Sequence, residues 1–225
     1  MSKQSAARVL IFDFDGTIAD SFTPTMEILA REFRQWGDRF NRRYTPEMLR
    51  GLTIREIMST IPGGWWKFIY LFAKAKKHVR ENASKINAYP GIIYTLRTLH
   101  DQGYLLLIVT SNNKKTVSEF LARFHLSELF ADIYPTKGLF RKANTLKKVL
   151  HQWQITPGKD DCFYVGDEIR DIQACKKINL PIIAVSYGFN SYAGLKTYQP
   201  EYLLKKPTQL LQLLGSLKIS QQPAN

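Results

Sequence analysis

Four stretches of the chain are apolar from end to end, with no polar alternation: Val9 to Phe12, Leu105 to Val109, Cys162 to Val165 and Pro181 to Val185. A strand with one wet face alternates. A run that does not alternate suits a strand covered on both faces, as in a parallel sheet. Each run stops abruptly on polar or small residues. The first gives way to Asp13-Phe14-Asp15-Gly16-Thr17 and the second to Thr110-Ser111-Asn112. The third ends at Gly166-Asp167, the fourth at Ser186-Tyr187-Gly188.

Between these runs the apolar spacing becomes helical. Ile92, Ile93, Leu96 and Leu99 predict a helix over 90–102, with Pro90 near its start and Gly103 as its stop. Helices are also predicted over 116–124, 144–153 and 171–178. Strand and helix therefore alternate from about residue 90 onward, which predicts an α/β fold with a mostly parallel sheet. The first two strands lie about ninety residues apart, far more than a crossover needs. Residues 21–85 are thus expected to form a small helical unit above the sheet, with helices over 25–36, 46–49, 53–58 and 65–82 and a break at Pro62-Gly63-Gly64. The expected boundaries are 1–20 with 86–225 for the sheet domain and 21–85 for the insertion. The tail from Gln221 is polar and expected to fray.

Charge adds one fact to this picture. The chain carries a formal +13, and 21–85 holds thirteen Lys and Arg against six Asp and Glu. A basic surface favours anionic partners. The two cysteines, Cys162 and Cys175, fit no metal or disulfide spacing and read as small core residues. His78, His100, His125 and His151 are scattered and join no motif. Met1 to Ala7 is short and polar, without the apolar region of a signal peptide, and the apolar run after it is too short to span a bilayer. A cytoplasmic location is the expectation.

In an open α/β sheet, sites form beyond the carboxyl ends of the strands. Those ends carry Asp13 and Asp15, Thr110 and Ser111, and Gly166 and Asp167. Carboxylates gathered at one edge repel unless a cation lies between them, and hard oxygen donors suit magnesium. Aspartate also serves as an ordinary turn former, and Thr110-Ser111-Asn112 taken alone would read as a helix N-cap. Their shared position after buried strands favours chemistry over both.

These residues resemble the motifs of the haloacid dehalogenase superfamily. Asp13-Phe14-Asp15-Gly16-Thr17 is similar to its Asp-x-Asp-x-Thr motif, Thr110 to the second motif, and Gly166-Asp167-Glu168-Ile169-Arg170-Asp171 to Gly-Asp-x-x-x-Asp. The resemblance spans 8–190 and includes Ala88-Tyr89-Pro90-Gly91 as the return from a cap. It implies a Rossmann-like core with helices on both faces and an inserted α-helical cap of the phosphoglycolate phosphatase type. It further implies Asp13 as nucleophile and Asp15 as general acid and base. Thr110 would hold a phosphoryl oxygen, with Ser111 and Asn112 adding phosphate contacts. Mg2+ would be bound by the Asp13 carboxylate, the Asp15 backbone carbonyl and Asp167, while Asp171 holds a metal-bound water or orients its neighbours. Members that displace halide generally lack the second aspartate, so Asp15 points to a phosphatase.

The third motif of the superfamily is a lysine, usually followed by proline. Here that pattern is broken, and both Lys137 and Lys142 are candidates; Lys142, just before the helix expected near Asn144, is preferred. The expected partner is a small, anionic, phosphorylated substrate such as phosphoglycolate. A phosphotransferase or mutase of the β-phosphoglucomutase type is the alternative on the same fold, and a basic binding or scaffold protein is the alternative of another class. The segment Gly64 to Arg80 mixes aromatics with Lys74, Lys76, Lys77, His78 and Arg80. It reads as a cap helix packing its aromatics on neighbours, so neither nucleic acid nor a membrane surface is an expected partner. Nothing in the sequence speaks to oligomeric state.

Overall fold

The computed structural model describes residues 8–34, 46–60, 63–81, 85–136, 138, 141–158 and 161–220. Several expectations fall outside the described residues: Met1 to Ala7, Trp36, Pro62, Asn82, Lys137 and the tail from Gln221.

Six strands form one sheet: β1 (Arg8–Phe12), β2 (Leu105–Thr110), β3 (Phe130–Pro135), β4 (Asp161–Gly166), β5 (Ile182–Val185) and β6 (Tyr202–Leu204). Their order is β3-β2-β1-β4-β5-β6, and every pairing is parallel. Leu10 lies in register with Leu106 on one side and Phe163 on the other, so β1 is central.

The lack of alternation in β1 has a direct cause. Leu10 and Phe12 enter one core with Ile92, Leu96 and Leu99 of α5 (Ile92–Asp101), Val117 and Phe120 of α6 (Lys114–Arg123), and Leu210 and Leu214 of α10 (Gln209–Ser220). Val9 and Ile11 enter a second core, with Leu146 and Val149 of α7 (Lys142–Gln152), Ile172 and Cys175 of α8 (Ile169–Lys176), and Leu195 of α9 (Tyr192–Thr197). Helices thus cover both faces. Val9, Leu10, Ile11 and Phe12 are fully buried, each worth about 1.5–3 kcal/mol of transfer free energy. Cys162 and Cys175 are free thiols inside the second core.

Among the described residues, four helices lie between β1 and α5: α1 (Phe22–Arg34), α2 (Pro46–Arg50), α3 (Ile54–Thr60) and α4 (Gly64–Glu81). Thr53 opens α3 with a capping box readable in the sequence. Its Oγ accepts from Glu56 N at 3.2 Å, and Glu56 Oε2 accepts from Thr53 N at 2.7 Å. In α4, Phe68 and Leu71 are buried against Ile54, Ile57 and Met58.

Three other aromatics of α4 depart from expectation. Trp66 is 80% exposed, Tyr70 55% and Trp65 47%. Trp66 and Tyr70 lie on the side of the helix away from the stripe that carries Phe68 and Leu71, while Trp65, one turn before Phe68, is nearer that stripe and the least exposed of the three. Two strands were also absent from the sequence reading, β3 and β6. Both are sheet edges, where one flank is open and a continuous apolar run is not required.

Candidate active site

Parallel strands put all their carboxyl ends on one edge, and β1 lies between β2 and β4, where the chain direction across the sheet reverses. Such a switch point is where open α/β sheets open a crevice. Asp13 leaves β1 there, its N–H still donating to Val165 O of β4 at 2.8 Å. Thr110 ends β2, and Asp167 follows β4.

Asp13, Asp167 and Asp171 are all buried, and one carboxylate oxygen from each lies within 4.8 Å of the others. Lys142, the first residue of α7, reaches into this cluster. Its Nζ donates to Asp13 Oδ2 at 2.6 Å and to Asp171 Oδ1 at 2.5 Å while itself only 4% exposed. Asp13 Oδ1 accepts from Phe14 N at 2.8 Å. Asp167 accepts from Thr17 Oγ at 2.9 Å on one oxygen and from Phe189 N at 2.6 Å on the other.

Asp171 reaches the cluster from a helix that Asp167 does not join. The helix α8 begins at Ile169, so Asp167 belongs to the turn before it. Asp171, in the first helical turn, folds back to accept from Glu168 N at 3.2 Å. The preceding Glu168 pairs with Arg170, whose Nε and Nη1 find no hydrogen-bond partner among the described residues. Lys137 lies outside the described residues, so only Lys142 of the two candidate lysines has a described position.

Asp15 stands beside this cluster, half-buried, with its Oδ2 accepting from Asn112 Nδ2 at 3.2 Å. Thr110 is fully buried, and its hydroxyl oxygen accepts from Asn112 N at 3.0 Å. The turn after β2 is therefore tied to the Asp15 turn after β1. Asn113, rather than the Thr110 triplet, caps α6 by accepting from Thr116 N at 2.8 Å.

Burial pushes the Asp13 carboxyl up to about 7, against the pull of Lys142. Asp167 is also pushed far up, by burial first and then by Glu168, Asp13 and Asp171. Burial alone would lower Lys142, but Asp13 and Asp171 outweigh it and hold the ammonium above its ordinary range. Three buried carboxylates thus face one lysine, and the surplus negative charge is what a divalent cation would neutralise. The donor set consists of hard oxygens in a compact group, which fits a metal of the magnesium class.

A stability prediction follows from these shifts. Without metal, Asp13 in the folded chain keeps its proton to about pH 7, while the unfolded chain releases it near 3.8. The folded form therefore binds more protons between those values, and stability falls as pH rises through that window. In EDTA, the melting temperature at pH 8 is expected to lie several degrees below that at pH 6. Magnesium is expected to narrow the gap. Scanning calorimetry at the two pH values checks this, and a chelated protein that melts higher at pH 8 would contradict it.

Sequence reasoning missed the loop after β5. Gly188 packs so tightly that a β-carbon there would fall 2.2 Å from Asp167 Oδ2 and 2.3 Å from Gly16 O. Gly16, at φ +79°, is under the same constraint from Asp167. The available signal was positional, since Ser186-Tyr187-Gly188 also ends a buried strand.

The same architecture occurs in a solved structure of a haloacid dehalogenase-like family hydrolase from Streptococcus pneumoniae. It superposes with a TM-score of 0.72 at 20% identity, covering 92% of this chain and 98% of that one. An α/β fold with its acidic cluster at a strand-end switch point defines the class. The sequence match is more specific: residues 10–185 match the haloacid dehalogenase-like hydrolase family, and the chain belongs to it. A phosphoglycolate phosphatase from Synechococcus elongatus is 28% identical over 211 residues, 93% of this chain and 98% of that protein. The pyrophosphatase PpaX of Halalkalibacterium halodurans is 27% identical over 149 residues, 64% of this chain and 68% of its own. Among the described residues, no helix is long and apolar enough to cross a membrane.

Proposed function

We propose that this hydrolase is a Mg2+-dependent phosphatase acting on a small phosphorylated metabolite, with Asp13 as its nucleophile. The observation that carries the reading is Lys142 Nζ lying 2.6 Å from Asp13 and 2.5 Å from Asp171, inside a group of three buried carboxylates. A carboxylate attacks a phosphate dianion only if the charge of both is offset. Asp13, the Asp15 carbonyl and Asp167 would hold Mg2+, with Asp171 holding a metal-bound water or orienting its neighbours; when bound, the ion would supply charge neutralisation and orient the phosphate.

The chain's own groups do the rest. An Asp13 oxygen forms a bond to phosphorus as the bond to the leaving alkoxide breaks, giving an aspartyl-phosphate. Asp15 gives its proton to that alkoxide. It then takes one from the water that attacks phosphorus and frees Asp13. The bond from Asn112 holds the Asp15 carboxyl in place between these transfers. The Thr110 hydroxyl offers its proton to a phosphoryl oxygen, and Ser111 and Asn112 add contacts. Residues 1–20 and 86–225 act as the catalytic core, and 21–85 as a cap that selects substrate and excludes water.

The test is phosphate release from a panel of phosphoglycolate, pyrophosphate, sugar phosphates, nucleotides and an aryl phosphate, with magnesium or with EDTA. Release from at least one compound is expected with magnesium only. Phosphoglycolate heads the panel because a basic cap suits a second negative charge and the Synechococcus relative bears that name. Folded protein that releases nothing from any compound would overturn hydrolysis and turn attention to phosphoryl transfer.

A further inference from the structure

The inserted segment 48–52 is bound to the loop after β5, and the bonds converge on one side chain from each partner. Arg50, the last residue of α2, donates from Nη2 to Gly188 O at 2.9 Å and to Ser186 O at 3.3 Å. It also donates from Nε to Phe189 O at 3.3 Å. Its guanidinium lies 4.8 Å from the centroid of the Phe22 ring, which meets the Phe189 ring edge to face at 5.5 Å. In the reverse direction, Asn190 Nδ2 donates to Arg50 O at 2.7 Å and Leu52 O at 3.1 Å, and Ser191 N donates to Arg50 O at 2.9 Å. The approach is close enough that a β-carbon on Gly194 would fall 2.9 Å from the Gly51 Cα.

The carbonyls that Arg50 holds belong to the same loop whose N–H groups set Asp167. Phe189 N donates to Asp167 Oδ2 at 2.6 Å, one residue from the Gly188 carbonyl that Arg50 grips most tightly. Asn190 N reaches Asp167 O at 3.3 Å, and Asn190 Oδ1 accepts from Ile169 N, the first N–H of α8. Both sides of the Asp167 turn are therefore supported by residues that are themselves anchored to 50–52. A planar fork can hold several carbonyls at once in a way an ammonium cannot. Nothing about this task is local in sequence, because Arg50 stands more than a hundred positions before Asp167.

We infer that Arg50 is a positioning residue for Asp167: by fixing the 186–189 carbonyls it keeps the Phe189 N–H on the carboxylate and so holds that carboxylate ready for a metal ion. The inference rests on the reading of Asp167 as a metal ligand. It makes seating of the inserted segment and retention of the ion two sides of one equilibrium, since anything that favours one must favour the other. An ion that binds Asp167 tightens the loop, and the loop tightens its grip on 50–52.

The test measures Mn2+ binding calorimetrically, without substrate, for wild type, Arg50→Ala and Arg50→Lys, with melting temperatures recorded to confirm folding. Loss of an outer support of this kind is expected to weaken Mn2+ affinity by about 10–100-fold in Arg50→Ala, with Arg50→Lys between it and wild type. Hydrogen exchange supplies a second readout, usable on Arg50→Lys alone if the alanine variant does not fold. Mn2+ should slow exchange at Gly51 and Leu52 in wild type, and do so less in the variant. Unchanged Mn2+ affinity in folded variants would overturn the inference and leave Arg50 as a structural clasp. A raised KM for substrate with unchanged Mn2+ affinity would overturn it too, by showing that the guanidinium serves the substrate. Failure of wild type to bind Mn2+ would instead sink the reading of Asp167 as a ligand.

Discussion

Asp13→Asn is expected to abolish phosphate release, lowering turnover by at least about three orders of magnitude, as loss of a covalent nucleophile does elsewhere. The substitution is nearly isosteric, and the physical case for it is specific. An amide can still accept from Phe14 N, as the carboxylate oxygen does at 2.8 Å, which preserves the turn, but its NH2 then replaces the oxygen that accepts from Lys142 Nζ at 2.6 Å. It also removes one charge from a buried cluster with a surplus of negative charge, and burial already pushes Asp13 up to about 7. Loss of the Lys142 bond and relief of the charge surplus oppose each other, so the variant is expected to fold in EDTA with a melting temperature near that of wild type, while being inactive in magnesium. Single-turnover assays with a chromogenic aryl phosphate, paired with calorimetry, separate the two effects. Residual turnover within tenfold of wild type in the folded variant would remove Asp13 from the role of nucleophile.

Lys142→Met is expected to cost both activity and stability. Its ammonium lies within hydrogen-bonding distance of both Asp13 and Asp171, and all three groups are buried. Removing one partner from a buried ionic group leaves the others uncompensated, which costs about 3–5 kcal/mol. Loss of its charge from the reacting centre should lower turnover by about 10²–10³-fold beyond any loss of folded protein. Magnesium should recover part of the stability and little of the activity. Lys137→Met provides the contrast and is expected to leave turnover near wild type. If Lys137→Met alone abolished turnover, the assignment of the third-motif lysine to Lys142 would be wrong.

What the sequence disclosed and what it withheld follow from a few physical differences. The strands β1, β2, β4 and β5 were legible because each is covered on both faces, and continuous apolar runs admit few other readings. β3 was not, because an edge strand is free to place Asp132 and Pro135 along its length, and β6 has three residues. Asp13, Thr110 and Asp167 could be located because strand ends are visible as changes of composition. The helix that carries Asp171 starts two residues earlier than the pattern suggests, and the carboxylate folds back from its first turn, which the apolar spacing does not reveal. Arg50 was invisible as anything but one charge among many. Its partners are backbone carbonyls, and no residue type marks a carbonyl as available to a side chain 138 positions away.

The central position of β1 also sets the order in which this molecule can be made. Val9 to Phe12 are made before either of their neighbours in the sheet, Leu105 to Ile108 and Cys162 to Val165. At roughly 5–20 residues per second, the second flank appears on the order of ten seconds after the first strand. Until then a fully apolar strand has no completed place to go, and Asp13 at its end has no Val165 carbonyl to receive its N–H. Asp13 precedes both strands that flank β1, so its place at the strand end is completed only when β4 pairs beside it.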